Sequence, residues 1–162
     1  FAAAIFFRDD RDVQAHQRSN IGGAVGARQG VEDLVKLAKT HDASTLKSNP
    51  SVKYELVDRM VEAGVATQMS LKIISIQAKE GVAPGHEASV AKLYGTELNK
   101  RRCELLVKVL GSQALGWEGA GFNPRELGTT REWLRSKGNS IEGGTSEVQL
   151  NVIAKRVLGL PD

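Results

Sequence analysis

The hydrophobic positions of this chain repeat at helical spacing and never settle into the two-residue alternation of a half-buried strand. After Asn49-Pro50, an N-cap with proline at the first helical position, Val57, Met60, Gly64, Thr67, Leu71, Ile74 and Ala78 follow at intervals of three and four. Val61, Val65, Met69, Ile73 and Ile76 add a second apolar edge, which predicts a long helix packed between neighbours. Upstream, a first helix is expected over about residues 10–40, carrying Gly22, Gly26 and Gly30 every fourth residue. A third is expected from Glu87 to Leu110, with Ala91, Tyr94, Leu98, Leu105 and Val109 inward. Lys92, Glu97, Lys100 and Arg101 are expected in solvent. From Gly111 to Asn139 the pattern dissolves into loop, relieved by a short helix around residues 130–137. A fourth long helix runs to about Leu158, with Val148, Val152, Ile153 and Val157 as its buried stripe and Gly159 and Pro161 as its stop. The expected architecture is all-α, an antiparallel four-helix bundle.

Two glycine features ask for a reason. Each glycine inside a helix costs about 1 kcal/mol relative to alanine, so the Gly22, Gly26, Gly30 series implies a neighbour at close range. It lacks the spacing of a dinucleotide loop and follows no strand, which excludes that reading. At the start of the last helix stands Glu142-Gly-Gly-Thr-Ser-Glu147. Ser146 through Gln149 fits a capping box, which makes Ser146 the expected N-cap. Gly143 and Gly144 would let backbone N–H groups approach a ligand beside the positive end of a helix. The same residues also fit an ordinary glycine-rich turn.

Composition narrows the chemistry. The 162 residues carry a net charge of +3 with acids and bases interleaved and aromatics at 5%. No basic run or stacking platform suggests nucleic acid. Cys103 is the one cysteine, and His16, His41 and His86 stand far apart, so neither a disulfide nor a metal site is expected. No apolar run approaches membrane-spanning length. Residues 1–12 begin without Met and match no motif, and the chain reads as a piece of something longer, with residues 13–162 as one bundle domain.

Three stretches in order then resemble one family. "SIEGGTSEVQLNVIAKRVLGLP" is similar to the C-terminal signature of acyl-CoA dehydrogenases. "ASVAKLYGTELNKRRCELLVKVLG" resembles the helix carrying A-S-x-A-K and L-G-G in that family, and "AHQRSNIGGAVGARQGVEDLV" resembles its opening helix. The resemblance implies a C-terminal bundle preceded in the family by a helical and a β domain. It implies an FAD enzyme that takes an α proton and a β hydride from an acyl-CoA thioester and passes electrons to an electron-transfer flavoprotein. It further implies a homo-oligomer, dimer or tetramer, or a heteromer with a related subunit, in a bacterial cytoplasm or a mitochondrial matrix. By the same resemblance Gly143, Gly144 and Thr145 line the flavin, Glu147 lies near its adenosine end, Lys108 meets a phosphate and Arg18 contacts substrate.

The proton acceptor departs from the family pattern. Members that keep it in the closing loop carry E-G-T-S, and here Gly143 holds that position with Glu142 one residue earlier. Members that keep it in the opening helix carry Q-E-R-x-x-I, and here the matching residue is Gln17. The segment "KTHDASTLKSNP" has no counterpart of R-x-x-F-G, and Q-x-L-G-G is replaced by Lys108-Val-Leu-Gly-Ser112. Three readings follow: Glu142 as a displaced base, a base supplied by other domains or a partner, or a subunit that builds an assembly without catalysing. A flavin oxidase or monooxygenase on the same fold is a further alternative.

Overall fold

The computed structural model describes residues 26–40, 49–80 and 85–161. Among them there are five α-helices and no strand. Helix α1 occupies residues 26–40, α2 spans Pro50–Glu80 and α3 spans Glu87–Leu110. A 3-10 turn at Gly111–Leu115 leads to α4, Pro124–Ser136, and a second at Lys137–Ser140 to α5, Ser146–Val152. A π turn over Ile153–Val157 prolongs α5. The start expected for the first helix, near residue 10, lies outside the described residues.

The core forms where α1, α2 and α3 meet. Leu34, Leu37 and Ala38 of α1 bury against Val52 and Leu56 of α2 and against Leu105, Leu106, Val109 and Leu110 of α3. Further along, Val31, Ala63 and Leu98 repeat the arrangement with smaller side chains. Each fully buried leucine or valine contributes about 1.5–3 kcal/mol over leaving it in water. Helix α3 begins and ends where its periodicity predicts, and Gly111, at φ +60, donates its N–H to the Val107 carbonyl to close it.

Helix α2 turns a different face inward from the one its large side chains predict. Its inward line runs Val52, Leu56, Arg59, Ala63, Ala66, Ser70, Ile73 and Gln77, again at intervals of three and four. Val57, Met60, Val61, Val65 and Leu71 face solvent. The reason is close approach: small residues at 63, 66 and 70 admit α1 and α3, while Glu62 at the edge pairs with Arg59 at 2.7 Å and with Arg101 of α3 at 3.2 Å. Arg101, Lys92, Glu97 and Lys100 are therefore half-buried rather than solvated.

The stretch between Gly111 and Asn139, expected as loop with a short helix around residues 130–137, holds the 13-residue helix α4, which already begins at Pro124. Asn123 caps it by accepting from the N–H groups of Arg125 and Glu126, and Glu126 reaches back to the Asn123 N–H at 2.8 Å. Its buried residues are Thr129, Thr130 and Ser136, so apolar periodicity is absent although the fold needs the helix. Thr130 locks it to the preceding turn by donating to the Ala114 carbonyl at 2.6 Å.

At the C-terminus the expected buried stripe is half-buried at Val152 and Ile153 and exposed at its two ends. Val148 is 51% exposed and Val157 44%, with Leu150, Leu158 and Leu160 also outward. Only Gln149 of α5 is buried. Gly159 takes φ +65 and the chain turns there, with the Leu160 N–H donating to the Ala154 carbonyl at 3.0 Å, as the stop signal requires.

Candidate functional site

Between α1, α3, α4 and the segment before α5 lies an open groove of about 1230 Å3. Gly26 and Gly30 of α1, Lys92 and Tyr94 of α3, Glu132 of α4 and Gly143 are among its walls. The glycine series of α1 finds part of its reason here. A Cβ at Gly30 would stand 3.2 Å from Cδ of Arg102, so the glycine lets that long side chain cross under α1. Arg102 then bonds Asn99 at 3.0 Å and pairs with Glu132 across the groove. Gly26 faces open space, and Gly22 lies outside the described residues. Burial, then the nearby Glu62 charge, push the Tyr94 hydroxyl up from its usual range, against the pull of Arg101 and Arg59.

The segment from Glu142 to Glu147 is built residue by residue. Gly143 has φ +62 and Gly144 φ +95, left-handed conformations that side chains resist. Thr145, in extended conformation, is the N-cap of α5 and accepts the Val148 N–H at 3.3 Å. The cap is thus one residue earlier than expected. Ser146 sits at the first helical position, and its Oγ is buried without a hydrogen-bond partner. Gln149, 8% exposed, takes no part in a capping box. Its Nε2 donates instead to the Gly143 carbonyl at 3.0 Å. Lys92 donates to the Gly144 carbonyl at 2.6 Å. Glu147 is exposed, and its own backbone N–H, then the Thr145 hydroxyl and the Lys92 charge, hold its carboxyl below the usual range.

The other residues singled out from the sequence fall elsewhere. Glu142 is 54% exposed in its side chain, pairs with Arg135 at 2.6 Å, and is not among the walls of the groove. Lys108 pairs with Glu55 of α2 at 2.7 Å, its ammonium committed to joining two helices. Arg18 and Gln17 lie outside the described residues. Lys92 and Gln149 are the two that sequence reasoning passed over. The signal for Lys92 was present: Lys92, Gly95, Asn99, Arg102 and Leu106 form their own line at intervals of three and four along the groove.

At Gly143 the glycine loop leaves room for a flat ligand edge. A Cβ at Gly143 would meet nothing within 4 Å, so the space above it is open. Among the described residues no group of three or more His, Cys, Asp or Glu could hold a metal ion, and no helix is long and apolar enough to cross a membrane.

Fold and loop together define a helical module with a glycine-lined, threonine-capped turn opening on a groove. Residues 13–158 match the family described as acyl-CoA dehydrogenase, C-terminal domain, and the chain belongs to that family. It is 29% identical over 143 residues to acyl-CoA dehydrogenase IpdE1 of Mycolicibacterium smegmatis, covering 88% of this chain and 33% of that one. It is 32% identical over 114 residues to the probable acyl-CoA dehydrogenase YngJ of Bacillus subtilis, covering 70% and 27%. The chain thus spans about a third of the length of the curated relatives it matches. Among solved structures, the ChsE4-ChsE5 complex from Mycobacterium tuberculosis aligns with a TM-score of 0.66 at 28% identity, over 86% of this chain and 35% of that one. A structure titled Tcur3481-Tcur3483 steroid ACAD G363A variant aligns with a TM-score of 0.73 at 24% identity, over 94% and 40%, and shares the fold.

Proposed function

We propose that this bundle is the C-terminal part of an FAD-dependent acyl-CoA dehydrogenase, which removes two hydrogens from the α and β carbons of an acyl-CoA thioester. The observation that carries the reading is the loop Gly143-Gly144-Thr145, side-chain-free and left-handed at its two glycines, capped at Thr145 and opening on the groove. Bound flavin would supply the hydride acceptor. The residues of this chain would do the rest of the work assigned to it: Gly143 would admit the flat edge, Gly144 makes room for the Gln149 side chain that ties the loop, Thr145 fixes where α5 begins, and Glu147 offers an ionised carboxylate in solvent beside them. Lys108 serves the α2–α3 joint, and a phosphate contact from it requires opening its pair with Glu55. An electron-transfer flavoprotein is the proposed electron acceptor.

The proton acceptor is proposed to come from outside the described residues, from another domain or a partner subunit. A general base works near its own pKa in a dehydrated pocket, and Glu142 is exposed, ion-paired and away from the groove. An oligomer is proposed with it, homomeric or with a related subunit. The outward apolar line of α2 (Tyr54, Val57, Val61 and Val65) supports a covering surface, and the similar ChsE4-ChsE5 structure is a complex of two differently named chains.

Product analysis tests the reading. Full-length protein, alone and with its co-expressed neighbours, is incubated with an acyl-CoA panel and an artificial electron acceptor. The proposal expects an enoyl-CoA lighter by two hydrogens. Oxygen insertion would favour the monooxygenase alternative, and oxygen consumption with hydrogen peroxide formation the oxidase.

A further inference from the structure

Two adjacent carbonyls of the glycine loop are each tied by a side chain from a different direction. Gln149 holds Gly143 O at 3.0 Å from within α5, and Lys92 holds Gly144 O at 2.6 Å from α3, across 52 residues of sequence. Both donors are removed from bulk water, Gln149 buried and Lys92 half-buried. No described peptide bond is cis, and in a planar trans peptide the C=O and N–H point in opposite directions. Drawing the Gly143 carbonyl toward Gln149 and the Gly144 carbonyl toward Lys92 therefore turns the Gly144 N–H away from Gln149 and the Thr145 N–H away from Lys92. Glycine torsions alone cannot do this. Two successive left-handed glycines have many orientations open to them, and the side-chain ties select one.

We propose that Lys92 is a positioning residue which, together with Gln149, fixes the orientation of the peptides 143–144 and 144–145 and so the backbone face that the loop offers to the bound cofactor. This rests on the flavin reading for the identity of the ligand, but the orientation of the loop does not. Lys92 touches neither substrate nor reacting atoms and acts through the backbone it holds. The charge on its ammonium makes its bond the stronger of the two, since charge-assisted hydrogen bonds are shorter and about twice as strong as neutral ones.

The test uses the full-length protein and the variants Lys92→Met, Lys92→Arg and Gln149→Met. The carbonyl ¹³C shifts of Gly143 and Gly144 read the two ties without needing the cofactor. Flavin affinity and the position of the bound flavin's visible band read the loop orientation. Lys92→Met is expected to move the Gly144 carbonyl shift and to weaken flavin binding on the order of tenfold, the scale of a lost charge-assisted hydrogen bond. The band shifts, while the unfolding transition of the bundle moves little. Lys92→Arg, which keeps a charged donor, restores most of both effects. A Gly144 carbonyl shift that is the same in Lys92→Met as in wild type overturns the proposal. So does a Lys92→Arg variant as impaired as Lys92→Met. Where Lys92→Met does not fold, Gln149→Met puts the same question to the neighbouring carbonyl, with the same expected and contrary results. A wild-type protein that binds no flavin defeats the functional reading, and the carbonyl shifts still decide the role of Lys92.

Discussion

Glu142 Oε1 lies 2.6 Å from Arg135 Nη2, and both side chains are more than half exposed. The pair bridges α4 to the approach of the glycine loop and leans over Gly138, where a Cβ would stand 2.9 Å from Arg135 and 3.3 Å from Glu142. An exposed pair of this kind contributes about 0–1 kcal/mol. On the reading proposed above, Glu142 is not the proton acceptor. Glu142→Gln in the full-length enzyme is expected to leave turnover within about threefold, whereas deleting a general base costs on the order of 10²–10⁴-fold. Steady-state kinetics on purified variant and wild type decides; a loss on the larger scale would make Glu142 the acceptor after all.

The two loop glycines should respond differently to alanine. At Gly143 only the backbone objects, because the space around its Cβ is open, so Gly143→Ala is expected to cost roughly 1–2 kcal/mol. At Gly144 the new methyl also meets Gln149 Nε2 at 2.7 Å and breaks the tie to Gly143 O. Gly144→Ala should therefore cost about 1 kcal/mol more, the net value of a hydrogen bond. Denaturant midpoints of the two variants give the ordering, and equal costs would contradict it.

Capping by Thr145 rather than by Ser146 makes a sharp comparison. Thr145→Ala removes the acceptor of the Val148 N–H and is expected to lose about 0.5–2 kcal/mol. Ser146→Ala removes a buried hydroxyl with no protein partner and is expected to be neutral or slightly stabilising. The reverse order in thermal or chemical unfolding would move the cap to Ser146.

Cys103 is 1% exposed in the α3 core. Burial pushes its thiol up first, with Glu132 adding to the shift while Arg102, Ser136 and Lys137 oppose it. A folded thiol pKa above the unfolded value means that stability is intact below the unfolded pKa and falls as pH rises through it toward the folded one. An alkylating reagent should accordingly label Cys103 only through unfolding, and Cys103→Ala should flatten the alkaline side of the stability profile. Rapid labelling of native protein at neutral pH would contradict the placement.

Much of the fold was legible because it follows from periodicity and punctuation. Asn49-Pro50 starts α2 and the apolar line of Leu98, Leu105 and Val109 sets α3, since helical spacing and caps are local chemistry. Only the second half of helix α4 was legible, as the short helix expected around residues 130–137, because its inward residues Thr129, Thr130 and Ser136 make no apolar line, although Asn123-Pro124 with Glu126 spells the same start signal as Asn49-Pro50. The inward face of α2 is not the one its large side chains mark, because tight packing selects small residues such as Ala63 and Ala66. The glycine loop was visible as a loop. What holds it was not, because the contact of Lys92 with Gly144 joins residues 52 apart and depends on how α3 lies against α5.

The most direct test of the central claim is the visible spectrum of the full-length protein, recorded without oxygen before and after adding acyl-CoA thioesters. The account predicts an oxidised flavin band that bleaches on addition of substrate, in the protein alone or once its partner subunit is present. A full-length protein that carries no flavin and takes up none on reconstitution would contradict it, leaving the bundle as a module that builds an assembly and does not bind the cofactor.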